Sequence, residues 1–266
     1  MRRRQFLQFA QGGLLASMAT TAVISPSYSQ SQSGNSNELL TLQWFGHFSF
    51  LVTGSNTRIL THPFRPGGCT AGLKIPKLDK LDYLLISSQL FDEGYLQDYP
   101  TVPVLAQPGS YRVKNLSFQG IRMDHDRQGG RRFGQNVAWR WQQAGVNILH
   151  LGGAAAPIQP DQRILMGRPD VLILPVGGGD ANSENSVLAK AYGAEEAAAV
   201  VKELKPRIVV PVYYRTPKAA STCALNPVDA FVKLMPADSV KQLTGNVLQL
   251  SASNLPQQTV VRILKV

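Results

Sequence analysis

Apolar positions in this chain gather into short runs, and few of them repeat at helical spacing. From Leu39 onward come LLTLQWFG, FSFLVTG and TRILTHPF, in which apolar and polar residues trade places while Gly46, Gly54 and Pro63 interrupt. A period of two with turn residues between runs predicts strands joined as an antiparallel meander. LDYLLIS (81–87) and VPVLAQP (102–108) read as two more strands, the first apolar on both faces. QNVAWRWQQAGVNILHLGG alternates on either side of Ala144-Gly145 and predicts a hairpin. PDVLILPVGGG and RIVVPVYY are solid apolar runs of the kind that strands covered on both faces require. Two stretches read as helices. GAEEAAAVVKELKP is rich in helix formers, acidic in its first turn and closed by Lys205-Pro206. NPVDAFVKLMP offers Asn226 as a cap and Pro227 at the first helical position. A strand-rich first half followed by strand–helix–strand predicts two sheets with helices outside, in one domain.

Composition adds size and charge. With 266 residues, 44% of them hydrophobic and 17% charged, the chain can bury one substantial core. Its formal charge is +10, to which Arg2, Arg3 and Arg4 contribute. The densest basic spot beyond them, Arg127 with Arg131 and Arg132, is short and sits among glycines. A nucleic-acid binder needs a basic stripe with interleaved aromatics, so specific nucleic-acid binding is not expected. Spread positive charge instead favours solubility or weak attraction to anionic surfaces.

The basic start precedes a modest apolar run from Phe9 to Ile24, broken by Gly12 and Gly13, and then Ser27-Tyr28-Ser29. That is the plan of an export signal, and the run is shorter than the roughly 20 residues of a spanning helix. Arg3-Arg4-Gln5-Phe6-Leu7 resembles the twin-arginine export motif. The expected organisation is an export signal at 1–29, a polar linker at 30–38 and a folded domain at 39–266. An ordinary secretory signal or an uncleaved anchor is the alternative. No later segment is apolar enough to span a membrane, and the expected location is a periplasm or a thylakoid lumen. Cys69 and Cys223 can pair in such a compartment, and two free thiols fit the sequence equally well.

Candidate chemistry centres on LLISSQLFDEGYL, residues 84–96. A buried strand empties into a small polar loop, the layout of a metal-binding loop, but the loop holds no histidine. Taken in order, WFGHFSFLV, RILTHPF, DYLLIS with FDEG, NILHLGG, DVLILPVGG and GAEEAAAVVKELKPRIVVPVYYRT resemble the metallo-β-lactamase superfamily. The likeness is closest to its small single-domain, lactonase-like branch and covers about Leu40 to Lys218. It implies an α/β fold, an αββα sandwich of two mixed β-sheets flanked by helices. Loops at one sheet edge would hold zinc or manganese, whose bound hydroxide attacks an ester, lactone, amide or phosphodiester.

The family's His-x-His-x-Asp-His run falls on Ser88, Leu90, Asp92 and Glu93. Its next histidine matches His125, its later aspartate Gly153, and its last histidine Tyr213. Only Asp92 and His125 keep the family residue. A metal site needs several convergent donors, and the resemblance leaves neither metal position with a convincing set. The Asp92 and Glu93 carboxylates could at most hold a hard cation such as calcium loosely. Leu90 is expected to fill the volume of a coordinating ring and help keep the site dry. The family also places a histidine near the pocket at His47, which reads equally as a hydrogen-bonded core residue. His62 stands where relatives carry aspartate before Pro-Phe, and it reads with His150 as structural. Ser88 with His125 and Glu93 suggests a nucleophile relay, but no Gly-x-Ser-x-Gly elbow accompanies it. PVGGGDANSEN lacks the spacing of a phosphate loop. The family fold puts the loops of Cys69 and Cys223 on the ligand-bearing edge, which implies a disulfide across the mouth of the former pocket.

The expectation is therefore an exported protein of this fold that has lost its metal ligands and needs no cofactor. Its role would be binding or structural, toward a protein or small-molecule partner. The alternative is a hydrolase with a reduced zinc or manganese site built from Asp92, Glu93, His125 and Tyr213. A basic surface protein drawn to anionic membranes or polymers is a third reading, one that added salt would abolish.

Overall fold

The computed structural model of the chain describes residues 38–179 and 190–266. The expected export signal, and the linker apart from Glu38, lie outside the described residues. The first sheet begins with the meander: β1 (Leu39–Gly46), β2 (Ser49–Gly54) and β3 (Thr57–Thr61) pair antiparallel in sequence. β4 (Tyr83–Leu85) and β5 (Val104–Leu105) join parallel to β3, and β13 (Val247–Ser251) closes the other side against β1. Alternation along β1 sends Leu40, Leu42 and Trp44 inward, as a period of two requires.

The second sheet is built on β8 (Gln135–Gln143) and β9 (Val146–His150), which form the expected hairpin around Ala144-Gly145. β10 (Val171–Pro175) and β11 (Ile208–Val212) run parallel to β9 and are buried along their whole length. Pro211 is tolerated there because pairing of β11 with β14 (Val260–Ile263) ends at Val209. On the far side β6 (Gly109–Val113) and β7 (Leu116–Asp124) extend the sheet from β8, and β12 (Val240–Gln242) edges it beyond β14. Among the described residues this gives a six-stranded and an eight-stranded sheet, both mixed.

The two sheets face each other across Trp44, Phe48, Phe50, Phe118, Trp139 and Trp141. Helix α2 (Ala194–Leu204) lies where the alanine-rich run predicts it, with Ala197, Val200, Val201 and Leu204 in the core. The outer face of the first sheet is covered differently. Phe45, Leu51, Leu60 and Leu84 pack there under Leu73, Ile75, Leu78 and Tyr99, from irregular segments rather than a long helix. No helix among the described residues is long and apolar enough to cross a membrane.

Several elements depart from the sequence reading. The β6–β7 hairpin, α1 (Pro160–Met166) and the three C-terminal strands carry no expectation above. The second expected helix shrinks to one turn, α3 (Asp229–Val232), with Val228 rather than Asn226 preceding it. Asn226 is held elsewhere: its backbone N–H donates to Gly177 O (2.9 Å) and its side chain to Gly178 O (3.2 Å). Those bonds draw 215–226 over the strand ends and delay the helix start.

The sandwich is pinned at the edge opposite those strand ends by Gln143, which is buried. Its Nε2 donates across to Gly54 O (2.8 Å) and Thr57 O (3.0 Å), while Oε1 accepts from Trp141 Nε1 (3.1 Å). Gln143→Ala strands two carbonyls and an indole N–H, so it will lower the unfolding free energy by about 2–4 kcal/mol in urea denaturation.

Candidate functional site

The exits of β3, β4, β9, β10 and β11, with the β1–β2 turn, open on one edge of the sandwich. Ligand sites of open α/β sheets form at such strand ends. The loop after β4 folds tightly: Glu93 N donates to Leu90 O (3.1 Å) and Gly94 N to the same carbonyl (2.8 Å). Only glycine fits at 94, because an added Cβ would stand 2.0 Å from Ser88 O. β8 anchors this loop through Trp139 Nε1 to Ile86 O (2.9 Å) and Val137 N to Ser87 O (2.8 Å). Asp126 shapes the loop after β7. Its carboxylate accepts from Gln128, Gly130, Arg132 and Phe133 backbone N–H groups at 2.8–3.1 Å. His125 is thereby carried inward rather than left on the surface.

These two loops meet in a buried pair. Glu93 and His125 are each 1% exposed, and His125 Nε2 bonds Glu93 Oε1. Ser87 Oγ donates to Glu93 Oε2 (2.6 Å) and Ser88 Oγ to Oε1 (2.9 Å). Burial opposes both charges, yet the partners outweigh it: Glu93 is held below the ordinary carboxylate value, mainly by His125, and His125 is raised, mainly by Glu93. Among their side-chain polar atoms, His125 Nδ1 has no partner. Gly153 lies against the pair. A Cβ there would stand 2.6 Å from Glu93 Oε2 and from His125 Cε1 and Nε2. The relay suggested by Ser88 is not formed, since the carboxylate sits between hydroxyl and imidazole.

The second group lines an open cavity of 850 Å³. His47 Nε2 lies 3.5 Å and Lys190 Nζ 3.6 Å from Asp92 Oδ2. Burial alone would raise the Asp92 carboxyl, but His47 and Lys190 overcome it and hold it at about 2. Tyr213 stacks on Phe48, with ring centroids 4.5 Å apart. Burial, with Asp92 and Glu93 nearby, keeps its phenol well above the usual value and so protonated. Leu90 is half-buried in the cavity wall beside exposed Phe91, so it borders the opening rather than sealing it. Cys69 and Cys223 form a disulfide, Cα–Cα 4.7 Å, that joins the loops on two sides of the mouth. Neither Lys190 nor Arg65, which also lines the cavity, stands out in the sequence; each is a lone cation beside glycines or small residues.

His47, His62 and Tyr213 all adopt left-handed backbone, φ 53, 45 and 53°. Each costs about 1–2 kcal/mol for a residue with a Cβ, and such strain gathers where a site is built. His62 and His150 are fully buried with ring centroids 4.1 Å apart. His150 Nε2 donates to Phe48 O (2.9 Å) and Nδ1 accepts from Gly152 N (3.0 Å), so this ring is neutral. Burial lowers it to about 4, and burial with His150 beside it lowers His62 well below its ordinary value.

A β-lactamase superfamily domain model matches residues 41–213. The chain belongs to the metallo-β-lactamase superfamily. A UPF0173 metal-dependent hydrolase of Thermoplasma acidophilum is 26% identical over 202 residues, 67% of this chain and 85% of the relative. A Thermotoga maritima structure, assigned to the zinc-dependent hydrolases of the superfamily, matches at TM-score 0.64 and 27% identity, covering 85% of this chain and all of that one. An isothiocyanate hydrolase from Delia radicum gut bacteria shares the fold at TM-score 0.60 and 13% identity, covering 80% of this chain and 99% of that one.

The superfamily's metal does not fit the residues present. Glu93 and His125 are bonded to each other, and the place a ligand at 153 would reach into is filled by that pair. Leu90 has no lone pair to give, and Tyr213 stays protonated. Asp92 turns to His47 and Lys190 while Glu93 turns to His125 and the serines, so the two carboxylates do not converge on a calcium-like cation either. Among the described residues, no three imidazole, thiol or carboxylate groups are arranged to hold a metal ion.

Two measurements check this arrangement. Gly153→Ala will cost about 1–3 kcal/mol of stability through overpacking, and the cost will shrink in part in a Glu93→Ala background, because the clash is shared between that side chain and His125. The His150 ring gives a pH dependence. Its folded value lies below its unfolded value of 6.5, so its contribution is whole above 6.5 and is lost as pH falls toward 4. Urea denaturation will show a loss on the order of 2 kcal/mol between pH 7 and 5. His62 adds to the loss, and His150→Gln flattens it.

Proposed function

We propose that this protein binds a small ligand in the cavity at the strand ends and does not drive hydrolysis through a metal ion. The buried Glu93–His125 pair carries this reading: the carboxylate and imidazole that would grip a cation are spent on each other. To admit a metal the pair must first part and His125 must give up its proton, since only a neutral imidazole coordinates. The cavity itself has a size suited to a small molecule; about 300–1,000 Å³ is usual. Apolar walls at Leu90, Phe91 and Leu225 and polar groups at Asp92, His47 and Lys190 give it both grip and orientation.

A second reading is a metal-dependent hydrolase with a reduced site, and the names of the relatives support it better than a non-catalytic role. Under it, Asp92, Glu93 and His125 would supply donors after Glu93 and His125 separate, with His47 beside Asp92 in place of the expected Tyr213, whose phenol stays protonated. An exported location is part of the proposal, supported by the Cys69–Cys223 bond, since disulfides persist in oxidising compartments.

One preparation separates the two readings. Protein made with zinc, manganese and iron supplied is assayed for metal by mass spectrometry and for turnover of ester, lactone and phosphodiester substrates, with and without chelator. Substoichiometric metal and no chelator-sensitive turnover are expected. Near-stoichiometric metal with turnover abolished by chelation would establish the hydrolase instead.

A further inference from the structure

A second opening of 1240 Å³ lies away from the strand-end cavity, between the 215–221 segment, α3 and the edge formed by β12 and β14. Its floor includes Trp44, Tyr214, Val232, Met235, Ile263 and Leu264. Four cations stand among its lining residues: Arg215, Lys218, Lys233 and Lys265, all exposed. None has an ion-pair partner among the described residues, and Asp229 is the one acidic side chain in the lining. Thr216 also lines it. That residue is only 7% exposed, and its Oγ1 has no hydrogen-bond partner.

The wall is held before any ligand arrives. Ala220 N donates to Gly68 O (3.1 Å), Arg215 N to Asn226 O (2.9 Å), and the Cys69–Cys223 bond ties the same segment to the loop after β3. Such preorganisation reduces the entropy lost on binding.

An apolar floor beneath unpaired cations matches one ligand chemistry: a flexible hydrocarbon chain ending in a single negative charge. The chain gains by leaving water along the floor. The head group meets cations beside which Asp229 is the one acidic side chain, in a protein of net charge +10. We propose that this groove binds a free long-chain carboxylate, one molecule per chain, at a site separate from the strand-end cavity.

The probe is dodecanoate, titrated calorimetrically into the full chain at low and moderate salt. Acetate tests the head group alone, a neutral dodecyl maltoside tests the tail alone, and anionic phospholipid vesicles test a membrane surface. Dodecanoate is expected to bind at a stoichiometry of one, more weakly as salt rises, with acetate and the maltoside at least about tenfold weaker. Lys218→Glu/Lys233→Glu, with unchanged melting temperature, will weaken dodecanoate about tenfold, and Arg65→Ala in the strand-end cavity will not. The proposal fails if the charge-reversed protein binds equally well, if the maltoside matches dodecanoate, or if vesicles alone bind. Loss of binding in Arg65→Ala, which removes a cation from the strand-end cavity, would instead move the ligand there and also overturn it.

Discussion

The site is organised by one buried contact, the bond between Glu93 and His125. Two charged groups that lie wholly out of water must satisfy each other or fail together. Everything around them serves that demand. Ser87 and Ser88 complete the carboxylate's bonds, the Asp126 turn carries His125 inward, and Gly153 leaves the space in which the two groups meet. The same contact decides the chemistry, because donors used up internally are not available to a cation.

The sandwich makes that contact affordable. Its two edges are fastened by side chains that cross from one sheet to the other: Gln143 at one, and Trp139 with His150 at the other. Between them three tryptophans and a set of phenylalanines exclude water. The strand-end edge can then carry left-handed residues, neutral buried histidines and a clamped mouth without the sheets parting. The disulfide borders the strand-end cavity and holds the segment that walls the second groove, so one covalent tie shapes both openings.

Much of the fold was legible as pattern. Solid apolar runs at β10 and β11, the alternation about Ala144-Gly145 and the alanine-rich α2 each carry a strong local signal, since periodicity reports burial directly. The β6–β7 hairpin was missed although Leu116, Phe118, Ile121 and Met123 are buried along β7. The register runs unbroken through Gly120 and puts the first two on one face of the strand and the last two on the other, so no single-face alternation marks it. Asn226 misled for a different reason. Its capping chemistry is real, but two carbonyls of the 177–178 loop claimed it first, and no local rule sees a competitor so far away in sequence.

For the site, the sequence alone determined which donors are missing: leucine cannot coordinate, and glycine has no side chain to offer, wherever they lie. That His125 lies near Asp92 and Glu93 was implied by the family resemblance and not by the order of the strands, since the strand leading to His125 was missed. Which of them touch was decided only by the tertiary structure. His125 and Glu93 are 32 residues apart, and nothing local distinguishes a ligand pair open to a cation from a pair closed on itself. That difference depends on ångström-scale packing, above all on the space beside Gly153, and packing of that kind exists only once both sheets have formed.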